Sequence, residues 1–268
     1  MLYRLGIRLI SYDRPGYGRS DQHRGRSVAD AAADVRTIAD HLGIDAFSVV
    51  GRSGGAPHAL ACAALLGGRI RSVASLVGLA PPDAADLDWY GGMTDSNTAA
   101  FGQVEPDLDR VIDMLRERAE QIRDDPDLLL RLLQPELTDQ DHRVVGEVAI
   151  QQLLTETYAE ACRHGAQGWI DDTIALRSPW RFELTAIDVP VLIWHGQDDV
   201  FSPVSHARWL ADHIRGGREG ARVAVTIEHN AAHFDAFGMV PDVLVWIKGA
   251  GWSERLGVED PDQSAFFP

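Results

Sequence analysis

The sequence predicts an α/β protein: a mostly parallel sheet with helices on both faces and a helical segment inserted between two strands. Two observations carry this prediction. Short apolar runs rich in β-branched residues alternate with helix-like stretches, which is typical of parallel βαβ units. From about residue 83 to 188 the alternation stops and helical periodicity takes over. We therefore expect a core made of residues 1–82 and 189–268, covered by a helical lid over 83–188.

The elements before the insertion follow from local signals. Residues 7–12 are mostly apolar and predict a strand, and a turn-rich loop follows them. Ser27 is placed to cap a helix that Gly43 would end. The next expected elements are a strand over 47–51, a helix over about 54–66 and a strand over 73–79.

The insertion and the second half of the core are predicted in the same way. Apolar residues at helical spacing predict helices over 108–123 and 141–163. Little periodicity is left in the tail, residues 249–268. The elements expected between insertion and tail are a strand over 189–194, a helix over 203–215, a strand over 221–228 and a helix around 244–247.

The composition limits the classes of partner. The 268 residues include 25 lysines and arginines against 40 aspartates and glutamates, a net charge of −15. Such acidity argues against nucleic acid and anionic membranes as partners, because phosphate binding needs clustered cations. Cys62 and Cys162 lie in apolar helix-like stretches, as buried reduced thiols do. With no signal-peptide pattern at the N-terminus, we expect a cytoplasmic protein that acts on a small molecule.

Residues 51–55, Gly-Arg-Ser-Gly-Gly, carry the strongest chemical signal. They fall where a predicted strand turns into a predicted helix, the context in which Gly-x-Ser-x-Gly presents a nucleophilic serine. We expect Gly51 and Gly55 to be required because larger residues would collide in so tight a turn. The hydroxyl of Ser53 would then lie near a helix N-terminus, and the Gly54 N–H could donate to an oxyanion.

A serine nucleophile needs a base and an acid that orients the base. When such a serine follows a strand of an α/β sheet, the order along the chain is serine, acid, histidine. The acid then follows a late strand and the histidine follows the last strand. Asp198 and Asp199 follow one predicted strand, whereas His229 and His233 follow the other. Spacing alone leaves both choices open.

Four motifs together resemble the α/β-hydrolase superfamily, in its lid-bearing branch. They are Asp-Arg-Pro-Gly-Tyr-Gly-Arg-Ser over 13–20, the Gly-Arg-Ser-Gly-Gly turn, His-Gly-Gln-Asp-Asp-Val-Phe-Ser-Pro over 195–203, and Ala-Ala-His-Phe-Asp over 231–235. The resemblance implies Ser53 as nucleophile, Asp199 as acid ahead of Asp198, and His233 as base ahead of His229. It implies neither a cofactor nor a metal, and it covers about residues 5–248.

The chain departs from this family at its start. The first two or three strands and the His-Gly loop that supplies a second oxyanion donor have no counterpart here. We expect Gly54 to be the remaining donor of this sequence. We also expect the native protein to begin upstream of Met1, with the missing strands supplied there.

The predicted function is that of a serine hydrolase which forms an acyl-enzyme from a small or medium carboxylic ester. Arg52 and Trp169 are candidate substrate-binding residues. For Arg52 the pattern favours a solvated or ion-paired arginine over substrate contact, and for Trp169 it favours lid packing and substrate contact equally. Peptidase, carbon–carbon hydrolase and cofactor-free perhydrolase reactions would use the same three side chains. A non-catalytic ligand-binding or scaffold protein on this fold is the alternative from a different class.

Overall fold

Four parallel strands form one sheet in the computed structural model, which describes residues 1–102, 107–215 and 222–249. Neighbouring strands follow each other in chain order, and every pairing is parallel. The predicted fold class is confirmed. The strands are β1 (Phe47–Arg52), β2 (Ile70–Leu76), β3 (Val191–Gly196) and β4 (Val223–Glu228).

Helices lie on both sides of this sheet, and six of the described ones come between β2 and β3. Before β2 the helices are α1 (Leu2–Leu5), α2 (Ala31–His41) and α3 (Gly55–Leu65). Between β2 and β3 they are α4 (Asp95–Phe101), α5 (Asp107–Asp124), α6 (Leu128–Leu133), α7 (Asp139–Val145), α8 (Val148–Ala161) and α9 (Gln167–Leu176). After β3 come α10 (Val204–Arg215) and α11 (Val240–Lys248).

Helix α3 anchors the core under β1 and β2. Its residues from Ala56 to Ala63 are all buried, because the helix is apolar on every face and lies against the sheet. Leu60 is fully buried, and such a side chain contributes about 1.5–3 kcal/mol. The β1–α3 junction is therefore held rigidly at the carboxyl edge of the sheet.

The apolar stripe predicted on α5 is confirmed. Val111, Leu115, Ala119 and Ile122 are all buried, and they pack with Ile170 of α9. The sequence predicted one helix over 141–163, which is wrong. The chain forms α7 and α8 instead, because it ends α7 at Gly146 and then adopts an extended conformation at Glu147.

Two strand predictions also need correction. Residues 7–12 pair with none of the four described strands, and Leu9 is 65% exposed. An apolar run becomes a strand only where a neighbour offers its backbone, and the described residues provide no such neighbour. The strand expected over 73–79 is β2, which begins three residues earlier and stops before Val77, a residue with φ of 45°.

The remaining core elements lie close to their predicted positions. The 3₁₀ turn after Ser27 leads into α2, and Gly43 follows that helix with φ of 64°. Residue 221 and the tail from residue 250 onward, where a strand start and an aperiodic tail were predicted, lie outside the described residues. In the described part of the chain we find no helix with the length and apolar character needed to span a bilayer.

Candidate active site

Ser53 occupies the sharp turn between β1 and α3. Its φ is 52°, a left-handed conformation that is uncommon for residues other than glycine. Its backbone N–H donates to the Leu76 carbonyl at 2.9 Å, which pins the turn to the end of β2. The N-terminus of α3 follows at Gly55, so the Gly54 N–H lies at the positive end of a helix dipole.

Only one of the two glycines expected to be essential is sterically required. A Cβ at Gly51 would lie 2.3 Å from the Gly55 carbonyl oxygen and 2.6 Å from the Cα of Ala56. A Cβ at Gly55 would meet nothing closer than the Arg14 guanidinium at 3.9 Å. The prediction for Gly55 is therefore wrong, because α3 leaves the turn in a direction that keeps this position open.

Three side chains distant in sequence form a continuous hydrogen-bonded chain. The Nε2 of His233 lies 3.0 Å from the Oγ of Ser53, and its Nδ1 lies 2.9 Å from Oδ2 of Asp199. Both His233 and Asp199 are buried. If the Nδ1 proton points to Asp199, then Nε2 is free to accept the proton of the serine hydroxyl.

The Asp199 carboxylate is held ionised by its neighbours. Its Oδ1 accepts the backbone N–H groups of Phe201 and Ser202, both at 2.8 Å. His195 lies 3.3 Å from Oδ2. Burial disfavours the charge, but His233 and His195 outweigh it through charge and hydrogen bonding, and they hold the pKa of Asp199 well below its usual range.

The alternative acid and base lie elsewhere. Asp198 is exposed and accepts a hydrogen bond from Gln140 at 2.9 Å, and His229 is exposed at the end of β4. Both residues follow the end of β3, and the turn there leaves Asp198 exposed and Asp199 buried. The structure thus brings Ser53, Asp199 and His233 together and leaves Asp198 and His229 outside the group.

A cavity of about 1060 Å³ opens above Ser53 and His233. One side consists of core residues around the β1–α3 turn, and the other consists of helices α4, α5, α6, α8 and α9. Pockets that bind small molecules have volumes of about 300–1,000 Å³, so this cavity is as large as the largest of them. Among the described residues, we find no cluster of three or more His, Cys, Asp or Glu side chains able to hold a metal ion.

The parallel sheet and the turn at Ser53 agree with the family to which the chain is similar. The family model of the alpha/beta hydrolase fold matches residues 2–237. The chain belongs to the α/β-hydrolase family. The resemblance stated from the four motifs is therefore confirmed at the level of the family.

Individual α/β-hydrolase relatives are distant. An uncharacterised hydrolase, YcgS, of Bacillus subtilis (strain 168) is 26% identical over 220 residues, covering 79% of this chain and 72% of that protein. A non-heme haloperoxidase of Rhodococcus erythropolis is 28% identical over 232 residues, covering 86% and 74%. The crystal structure of a bromoperoxidase from Bacillus anthracis has a TM-score of 0.63 at 18% identity, covering 92% of this chain and 84% of that one.

The two candidate substrate-binding residues of this α/β hydrolase have different surroundings. Both line the cavity. Trp169 also packs with the buried cluster between α5 and α9. Arg52 donates from Nη2 to the His233 carbonyl at 3.3 Å, and its guanidinium lies 4.2 Å from the centre of the Phe237 ring. Arg52 is thus bonded to the loop that carries His233.

A buried ionic cluster lies behind the turn that carries Ser53. Asp172 forms ion pairs with Arg14 and Arg26, and His58 lies 3.8 Å from its Oδ1. Burial disfavours the Asp172 charge, but the two arginines and His58 outweigh it and hold the pKa at about 2. Asp171 and Asp172 both lie inside α9.

His58 is expected to make the protein less stable in mild acid. Burial, followed by the charge of Arg14, lowers its pKa from 6.5 to about 4. Between pH 6.5 and 4, His58 is therefore protonated in the unfolded chain but neutral in the folded chain. The free energy of unfolding thus decreases as the pH drops from 6.5 to 4. A shift of this size corresponds to about 3 kcal/mol of unfolding free energy.

Denaturant unfolding of His58→Gln across pH 4–7.5 measures this contribution. The variant should lose less stability than the wild type between pH 6.5 and 4, with no change in the difference above pH 7. His164 is exposed, so His164→Gln is the matched control and should follow the wild type. Parallel curves for the wild type and His58→Gln would contradict the prediction.

Sequence reasoning missed two side chains that contact this site. His195, the first residue of the motif over 195–203, lies beside Asp199 and also 2.5 Å from the Ser202 carbonyl. Asp141 was only the start of a predicted helix, yet it is fully buried and accepts the Phe234 N–H at 2.8 Å. The Thr138-x-x-Asp141 pattern signals a helix start but contains no information about Phe234.

Proposed function

We propose that this α/β hydrolase is a serine hydrolase that cleaves a small or medium carboxylic ester through an acyl-enzyme. The hydrogen-bonded chain from Ser53 through His233 to Asp199 is the observation that carries the proposal. The strained backbone of Ser53 and the adjoining cavity support it. We further propose that the helices of residues 83–188 act as a lid over this cavity.

Acylation uses His233 as the base. Its Nε2 takes the proton of the Ser53 hydroxyl while the oxygen attacks the ester carbonyl carbon. The Gly54 N–H stabilises the negative charge that develops on the carbonyl oxygen. The proton then passes from His233 to the alkoxide leaving group, the alcohol departs, and the acyl group remains on Ser53. Asp199 keeps the imidazole in the reactive tautomer and stabilises its cation.

Deacylation repeats these steps with water. His233 removes a proton from the water as it attacks the acyl carbon, and the returning proton releases Ser53 and a carboxylic acid. The low pKa of Asp199 keeps this carboxylate charged throughout the cycle. Every proton transfer in this cycle takes place among Ser53, His233, water and the substrate.

The cavity favours an apolar group on the ester. Leu132, Leu153 and Met114 line it and are 39%, 47% and 37% exposed, so three different helices present apolar surface to whatever enters. Binding of an alkyl chain against such side chains is favourable, because it removes apolar surface of both the pocket and the ligand from water.

Activity should therefore rise with chain length in a series of p-nitrophenyl esters from acetate to octanoate. Each methylene that becomes buried contributes about 0.8 kcal/mol, or about a fourfold gain in kcat/KM. Leu132→Asn should flatten this rise. Val148→Asn, at a residue 79% exposed and outside the described cavity lining, is the control. A preference for acetate would contradict the apolar-substrate proposal.

Perhydrolysis is a second candidate, favoured by the likeness to the haloperoxidase of Rhodococcus erythropolis. In that reaction acetic acid acylates Ser53 with loss of water. Hydrogen peroxide then attacks the acyl carbon, the bond to Ser53 Oγ breaks, and peracetic acid is released as the serine hydroxyl regains its proton. Bromide oxidation that requires both acetate and peroxide, and that Ser53→Ala abolishes, would support it. Ester hydrolysis without any such oxidation would exclude it.

A further inference from the structure

The peptide bond between His233 and Phe234 is held at both of its polar atoms. Its carbonyl oxygen accepts a hydrogen bond from Nη2 of Arg52 at 3.3 Å. Its N–H donates to Oδ1 of Asp141 at 2.8 Å. One charged group thus comes from Arg52, the last residue of β1, and the other comes from α7, within the helical segment between β2 and β3.

The Asp141 side chain is held beside the Phe234 N–H by burial and by further hydrogen bonds. It is fully buried, and its second oxygen accepts the Thr138 hydroxyl at 3.0 Å. Thr138 also caps α7 through the Asp141 N–H at 3.1 Å. Burial raises the pKa of Asp141, while the hydrogen bond from Phe234 and the nearby His233 act in the opposite direction. Burying a carboxylate costs free energy, and the hydrogen bonds from Phe234 and Thr138 offset part of that cost.

Arg52 completes the arrangement from the other side. Its guanidinium lies 4.2 Å from the Phe237 ring centre and 5.3 Å from that of Phe234, both in the turn that follows His233. Its backbone immediately precedes Ser53. Ser53 and His233 are therefore linked in two ways: by their own hydrogen bond, and through the side chain of the adjacent Arg52.

We propose that Asp141 is a positioning residue for His233 and that it acts together with Arg52 by fixing the plane of the His233–Phe234 peptide. The proposal rests on the proposed serine-hydrolase function. Fixing this plane restricts the rotation that would swing the imidazole away from Ser53. A displacement of about 1 Å in a reacting group can lower the rate about 100-fold. His233 would thus be aligned with Ser53 only while α7 is packed against the core.

The competing explanation is that Asp141 merely holds α7 in place. Gln140 offers a matched control, because it ties the same helix to the loop of Asp199 through Asp198 at 2.9 Å and leaves the His233 peptide untouched. Asp141→Asn is the second informative variant, since its amide oxygen still accepts the Phe234 N–H. Asp141→Ala removes the acceptor.

Steady-state kinetics on a p-nitrophenyl ester separate these explanations. We expect Asp141→Ala to lower kcat about 10- to 100-fold with KM within about twofold of the wild type, because Asp141 does not line the described cavity. Asp141→Asn should stay within about threefold of the wild-type kcat, since it keeps the acceptor. Gln140→Ala should resemble the wild type. Arg52→Met should also lower kcat, and combining it with Asp141→Ala should cost less than the two effects multiplied.

A second readout does not depend on turnover. The proton shared by Nδ1 of His233 and Asp199 should give a low-field ¹H NMR signal, present in the wild type, Asp141→Asn and Gln140→Ala but lost or shifted in Asp141→Ala. If Asp141→Ala keeps both kcat and this signal, or if Asp141→Asn loses as much as Asp141→Ala, the positioning role is overturned. A wild type inactive on every ester but with this NMR pattern would overturn the proposed function and leave the positioning role standing.

Discussion

Ser53→Ala is expected to abolish labelling of the protein by a fluorophosphonate probe and to lower kcat/KM for an ester by at least about 10⁴-fold. The reason is that the Oγ of Ser53 lies 3.0 Å from Nε2 of His233, the proposed base, and that Ser53 lines the cavity. Peptide mass analysis of the labelled wild type should locate the adduct on Ser53. Ser178→Ala removes a hydroxyl that bonds the Ile174 carbonyl within α9, and it should leave labelling unchanged.

The labelling result also separates the two classes of function. An adduct on Ser53 requires an activated serine, which a ligand-binding or scaffold protein has no need to maintain. A folded wild type that takes up no probe, or a Ser53→Ala variant that is labelled as well as the wild type, would contradict the serine-hydrolase proposal. Circular dichroism and a thermal melt of both proteins establish that the comparison is made between folded chains.

The second large effect concerns two adjacent carboxylates. Asp199→Asn should lower kcat about 10⁴-fold, whereas Asp198→Asn should change it by less than about threefold. In Asp199→Asn the Oδ1 position can still accept the Phe201 and Ser202 N–H groups, but an NH₂ group then faces His233. That amide favours the tautomer with its proton on Nε2, which cannot accept the proton of Ser53.

The pair provides its own control, since both substitutions remove one negative charge from neighbouring residues. Asp198 is exposed and contacts Gln140, so its loss leaves the Ser53–His233 hydrogen bond in place. Equal losses in both variants would show that overall charge and not orientation of His233 matters. A larger loss in Asp198→Asn would assign the acid role to Asp198, the alternative that the sequence left open.

Local sequence determined the parts of this protein in which neighbouring residues decide the structure. The turn at Ser53 follows from small residues between an apolar strand and an apolar helix, and α5 follows from four apolar residues spaced along one face. The parallel sheet and the α/β-hydrolase family follow from the order of such elements. These features require only periodicity, turn chemistry and motif order, which are all visible in a single chain.

Tertiary structure decided everything that joins residues far apart. Nothing local distinguishes the inward Asp199 from the outward Asp198, or shows that Asp172 would neutralise Arg14 across 158 positions. Residues 7–12 have the composition of a strand but find no neighbouring strand among the described residues. Asp141 takes its proposed role from a peptide 93 positions away. A hydrogen bond or an ion pair is specified by where two elements meet, and that meeting is fixed by burial across the whole chain.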